Sequence, residues 1–125
     1  IKSPLDIEGG LGISILGILP RLKKMSDTDK AKVVATHGDF QVTESYRSIY
    51  SAIKINKKCG QAQVIMTTST IPSEGKSFVS SNLALTFSSH GERTLLLDCD
   101  LRLPNVAKSL GLKNDCGLIQ IEVTH

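Results

Sequence analysis

"TSTIPSEGKS", Thr68 to Ser77, decides how the rest of the chain is read. It closes on Gly75-Lys76-Ser77, the tail of the G-x-x-x-x-G-K-[ST] phosphate-binding pattern, but Thr70 stands where that pattern has its first glycine. Gly-Lys-[Ser/Thr] alone arises by chance in roughly one chain of this length in twenty at average residue usage. Context carries more weight. The apolar stretch "AQVIMTT", 62–68, precedes the tripeptide and reads as a strand buried on both faces. After Ser77, Val79, Leu83 and Phe87, with Phe78 and Leu85 beside them, recur at helical spacing. A turn between strand and helix aims successive backbone N–H groups and a helix N-terminus at one anion. In such a loop Gly75 allows close backbone approach, Lys76 reaches the β/γ-phosphates, and Ser77 offers its hydroxyl to Mg²⁺. Pro72, Ser73 and Glu74 complete the cradle, and Thr70, being β-branched, is expected in an ordinary extended conformation.

The second signal is "LLLDCDLR", 95–102, at the end of another apolar run. Asp98 and Asp100 are two residues apart, so in extended backbone both carboxylates leave the same side. Ligands of open α/β sheets bind at the carboxyl ends of the strands, where this pair falls. Facing a lysine and metal-bound phosphates, one carboxylate can hold the metal through water and the other accept a proton from an attacking hydroxyl.

Outward from these motifs, the order from residue 42 onward reads α-β-α-β-α. Val42, Tyr46, Ile49, Tyr50 and Ile53 form one apolar stripe, with Thr43 as helix cap and Glu44 in the first turn. Gly91 ends the helix after the loop, and Pro104 and Gly111 bracket a last one. Alternation of this kind predicts an α/β fold, an open parallel sheet with flanking helices. Residues 11–19 read as a short buried strand, and 21–38, "RLKKMSDTDKAKVVATHG", as a polar linker. Two units follow: a membrane-proximal segment and linker at 1–40, and the phosphate-loop domain at 41–125.

The 125 residues suffice for one small domain. With 4% aromatic residues and a formal charge of +3, neither a base-stacking platform nor a polyanion partner is expected, so nucleic acid is set aside. Cys59, Cys99 and Cys116 are odd in number and lack C-x-x-C spacing, which suits small hydrophobes in a reducing compartment. The longest apolar run, "LGISILGILP", is shorter than the ~20 residues of a spanning helix.

The stretch from Thr68 to Leu112 resembles the catalytic domain of the bacterial tyrosine kinases, whose Walker A often lacks the first glycine. Leu95 to Arg102 matches their Walker A′, hhhDxDhR. "DIEGGLGISILGILPRL" resembles the segment joining a membrane helix to the kinase in polysaccharide co-polymerases. The resemblance implies a P-loop fold and an ATP-dependent protein-tyrosine kinase that regulates capsular or exopolysaccharide synthesis and export. Its place would be the cytoplasmic face of the inner membrane, with the membrane part of the parent protein and a protein tyrosine as partners. ATP or ADP with Mg²⁺ would sit on Pro72 to Ser77. Asp98 would lead as general base, with Asp100 and Ser77 at the metal, though the roles of the two aspartates can exchange. Arg102 matches the motif as either a loop-positioning or a catalytic group.

Departures matter. The family's E-x-x-R-x-x-R oligomerisation helix reads Glu44, Arg47, Tyr50, so self-association keeps two of its three residues. Tyr46 and Tyr50 lie on the apolar stripe, which favours packing over phosphoacceptance. No Walker B strand or tyrosine cluster follows Asp100; "GLIQIEVTH", 117–125, offers only Glu122. Weak nucleotide binding and little turnover are therefore expected. Two other classes stay open: a non-catalytic nucleotide-binding or docking module of an export complex, and a partitioning-type ATPase. Ile71 occupies the place of the partitioning ATPases' signature lysine, which speaks against the last.

Overall fold

The structure is a computed structural model describing residues 3–22, 25–56 and 61–113. Cys59, Cys116 and the stretch 117–125 with Glu122 lie outside the described residues.

Helix α4, Phe40–Ile55, supplies the central packing face. Its cap is Asp39, whose carboxylate accepts the Val42 N–H at 3.0 Å, so the helix starts ahead of the expected Thr43 cap. Thr43 instead turns its hydroxyl back onto the Asp39 carbonyl at 2.8 Å. The predicted stripe is realised: Val42, Tyr46 and Ile53 are buried, and Ile49 packs against them. Helix α5, Lys76–Ser89, follows the phosphate loop and ends at His90, with Gly91 next at φ 82°. Tyr46 and Phe78 meet edge to face, as do Tyr50 and Phe87, which fixes α4 on α5.

The expected linker is part of the core. Helices α2, Asp27–Ala31, and α3, Val33–Thr36, pack on α5 and bury Ala31, Val33 and Val34. A polar composition concealed three small apolar residues on one side. Asn82, fully buried on α5, joins these helices: its Oδ1 accepts the Val34 N–H at 3.1 Å and its Nδ2 donates to the Lys30 carbonyl at 2.7 Å. The most buried positions of α5 are thus polar, Ser81, Asn82 and Thr86, rather than an unbroken apolar stripe.

Residues 11–19, expected as a first strand, instead follow a helix, α1, Pro4–Leu11, and have no regular structure beyond its last residue. It rests on α4 at Gly17, where an added Cβ would stand 2.5 Å from Ile49 Cγ1. A short helix, α6, Val106–Ser109, packs on α2 and α5. No strand is formed among the described residues. Segments 62–68 and 93–98 line one groove against Ser80, Leu83 and Phe87 of α5, but Val64, Met66 and Leu95 remain 85%, 85% and 79% exposed. A strand gains stability only when its backbone groups find a ladder and its side chains a covering layer, and a lone pair of segments is marginal. Cys99 is exposed, against the expectation of a buried hydrophobe.

Candidate functional site

The loop 68–77 turns through two left-handed residues, Ser73 at φ 63° and Gly75 at φ 90°. Among the described residues, positive φ outside glycine is confined to His37 and Ser73, so Thr70 has the ordinary conformation its branching favours. The curvature that a first glycine could supply is carried further along. Gly75 caps α5 without a side-chain hydrogen bond, and its carbonyl accepts the Val79 N–H at 2.9 Å. The first N–H groups of the helix therefore meet no capping side chain and lie at the positive end of its dipole, where an anion is favoured.

Side chains brace this loop from inside. Lys76 Nζ donates to Ser69 Oγ at 3.1 Å, and Ser69 Oγ donates to the Ile71 carbonyl at 2.8 Å. The half-buried ammonium is thus drawn over the loop rather than into solvent. Glu74 folds back toward the loop entrance: its Oε2 accepts the Thr70 N–H at 3.1 Å, the Ile71 N–H at 3.3 Å and the Thr70 hydroxyl at 3.1 Å. Ser77 is half-buried in the first turn, and Pro72 and Ser73 are exposed at the rim.

Asp98 is anchored. Its Oδ2 accepts the Asn105 and Val106 N–H groups, each at 3.0 Å, and its Oδ1 the Asp100 N–H at 3.1 Å. It thereby holds the start of α6, which packs on the helix the loop feeds. Asp100 Oδ1 accepts the Leu103 N–H at 3.1 Å, and the residue is exposed. Arg102 is exposed and forms no ion pair among the described residues. Sequence reasoning named these residues but missed how far Asp98 serves the backbone of its own loop. The signal was present in Asn105, a turn-former just after Pro104.

The helix expected to mediate self-association shows two faces. Glu44 and Arg47 pair at 2.9 Å on the exposed side. Tyr50, third in that series, turns inward: its ring stacks on His90 at 4.2 Å and its hydroxyl donates to Glu92 at 3.3 Å. Lys54 Nζ reaches the same Glu92 oxygen at 2.8 Å. That hydrogen bond, with the charge behind it, lifts Lys54 above and holds Glu92 below their ordinary ranges. Tyr46 is fully buried with its hydroxyl toward the Phe78 carbonyl, and burial pushes its phenol well up. Both tyrosines are packing residues, as their stripe position implied.

A glycine-ended loop feeding a helix, with a lysine and serine in the first turn, defines a P-loop nucleotide-binding protein. Residues 65–118 match the family described as "CobQ/CobB/MinD/ParA nucleotide binding domain". The chain is 39% identical over 79 residues to "Tyrosine-protein kinase YwqD" of Bacillus subtilis (strain 168), covering 63% of this chain and 33% of that protein. It is 38% identical over 134 residues to "Tyrosine-protein kinase wzc" of Salmonella typhimurium, covering 97% of this chain and 18% of that protein. "Tyrosine-protein kinase ptk" of Acinetobacter johnsonii is 29% identical over 131 residues, with 97% and 18% covered. No solved structure matches significantly. The chain is thus similar to bacterial tyrosine kinases, and residues 65–118 to a nucleotide-binding domain family. It spans between about a fifth and a third of the length of these relatives.

Proposed function

We propose that this chain is the nucleotide-binding portion of an ATP-dependent protein-tyrosine kinase that regulates capsular or exopolysaccharide synthesis and export. The observation that carries the reading is the uncapped start of α5, with Gly75 left-handed and Lys76 held over the loop by Ser69. ATP or ADP would lie with its β/γ-phosphates on residues 72–77. Lys76 offsets their charge there, and positioning supplies most of the rate. The hard oxygen donors Ser77 Oγ and Asp100 suit Mg²⁺, whose remaining positions phosphates and water fill, and the ion would neutralise charge building on the phosphates. A tyrosine hydroxyl would attack the γ-phosphorus in line, the bond to the ADP oxygen would break, and a carboxylate would take the hydroxyl proton. Asp98 is the leading acceptor by motif, although it must release a backbone N–H to act.

Segments 62–68 and 93–98 would be neighbouring strands of an open parallel sheet, a reading supported by their sharing one groove on α5. Residues 1–40 would join the kinase portion, 41–125, to a membrane part at the cytoplasmic face; no helix among the described residues is long and apolar enough to cross a membrane. Self-association would use the exposed Glu44–Arg47 pair without Tyr50, which is engaged inside the chain. The engagement of both Asp98 oxygens favours a second reading, a nucleotide-binding docking module that transfers nothing.

Labelled γ-phosphate distinguishes the two. Incorporation into tyrosine, of this chain or of an added tyrosine copolymer, should fall at least about 100-fold in Lys76→Met. Equal incorporation by both proteins removes the kinase reading. Nucleotide binding by the wild type with no transfer supports the docking module.

A further inference from the structure

We infer that Glu74 is a positioning residue for the phosphate loop, taking over the shaping role that a glycine at position 70 has in the standard pattern. The inference rests on the nucleotide-binding reading and deepens it. Glu74 sits between the two left-handed residues of the loop, Ser73 and Gly75. From there its carboxylate reaches back four residues and gathers the Thr70 N–H, the Thr70 hydroxyl and the Ile71 N–H. These bonds run along the backbone from the end of the preceding segment to the helix start, so the loop is closed by a chord. The chord replaces conformational freedom with a fixed shape. Thr70 keeps an ordinary φ because the turn is made downstream and held there by the carboxylate.

The partition of donors gives this brace its consequence. Glu74 occupies N–H groups at the loop entrance, on residues 70 and 71, and none at the start of α5. Lys76 is bound to Ser69 and not to Glu74, so the acid does not neutralise the cation that phosphate needs. A carboxylate so placed orders the loop before phosphate arrives without competing for phosphate's donors. Preorganisation of this kind appears as affinity, because the ordering cost is met in folding and not in binding.

The test titrates the 125-residue chain with Mg·ADP by calorimetry, comparing wild type with Glu74→Ala, Glu74→Gln and Lys76→Met. Amide exchange at Thr70 and Ile71 is followed in the same proteins without nucleotide. Glu74→Ala should weaken Mg·ADP binding by roughly tenfold, about the worth of one charge-assisted hydrogen bond. It should raise exchange at Thr70 and Ile71 while leaving the amides of α4 unchanged. Glu74→Gln keeps one acceptor oxygen and should recover part of both losses. Unchanged or tighter Mg·ADP binding in Glu74→Ala, with Lys76→Met defective, overturns the inference alone. If the wild type binds no Mg·ADP, the nucleotide reading falls and takes this one with it.

Discussion

Asn82 and Ser81 are neighbours on α5 and equally inaccessible, yet opposite in their hydrogen bonding. The Asn82 amide closes the break between α2 and α3, donating to the Lys30 carbonyl and accepting the Val34 N–H, and a second donor bond goes to Phe78 at 3.0 Å. Truncation leaves the buried Val34 N–H without this acceptor and strips the donor bonds to Lys30 and Phe78, and a buried polar group without a partner costs about 1–3 kcal/mol. Asn82→Ala should therefore lower unfolding stability by roughly 2–4 kcal/mol in urea denaturation. The Ser81 hydroxyl has no partner among the described residues. Removing it takes away an unmet desolvation cost, so Ser81→Ala should hold or raise stability by up to about 1 kcal/mol. A large loss in Ser81→Ala would mean that its hydroxyl is bonded after all. At this scale the sequence was legible for the loop and obscure for the core: Gly75, Lys76 and Ser77 announce themselves by type, whereas Asn82 resembles any surface polar residue until α2 and α3 pack over it.

Helix α4 is joined to the end of α5 by a cluster that the stripe Val42–Ile53 only half foretold. Tyr50 lies flat on His90 and edge-on to Phe87, while Lys54 and the Tyr50 hydroxyl converge on Glu92. The helical period gave the ring positions; the polar partners come from a turn 42 residues away and carry no local signature. Both charged groups titrate in the direction that makes the contact pH-dependent. Glu92 is held down, so its contribution is present above the ordinary carboxylate range, about 4.3, and is lost as pH falls through its lowered value. Lys54 is raised, so its contribution is complete below about 10.4 and is lost as pH rises through its higher value. The difference in thermal midpoint between wild type and Glu92→Gln should stay constant from about pH 6 to 9 and shrink below about pH 4. A difference that widens in acid would contradict the Lys54–Glu92 contact. Lys54 is exposed and Glu92 half-exposed, so the effect is small, and it is identified by its pH course.

Across the molecule, the two long helices were readable from the sequence, the short helices α1, α2 and α3 were not, and the expected strands are not formed among the described residues. A helix satisfies its hydrogen bonds within one segment, so α4 and α5 follow from spacing, although α4 starts at Asp39, ahead of the expected Thr43. Segments 62–68 and 93–98 have strand composition, but a strand is a relation between segments, and among the described residues that relation is not closed. What holds the described residues together is the helical layer α2–α5, with Val33, Val42, Tyr46 and Leu83 at its centre. The phosphate loop is rooted in that layer through Phe78, which packs on the core and accepts from Tyr46 and Asn82. Ligand binding at the loop is therefore coupled to global unfolding, since the first turn of α5 is lost when the helical layer is lost. A ligand that binds only the folded chain stabilises it by about 2.7 kcal/mol at one hundred times its dissociation constant. For a domain of this size that amounts to a rise in thermal midpoint of roughly 10 °C. Mg·ADP at that ratio should produce the rise in wild type, and Lys76→Met at the same concentration should show less than about 2 °C. Asn82→Ala should melt earlier yet keep the full increment, because it removes bonds at Lys30, Val34 and the Phe78 carbonyl while the loop donors themselves stay in place. An increment that disappears in Asn82→Ala would mean that the packing of α2 and α3 shapes the loop itself.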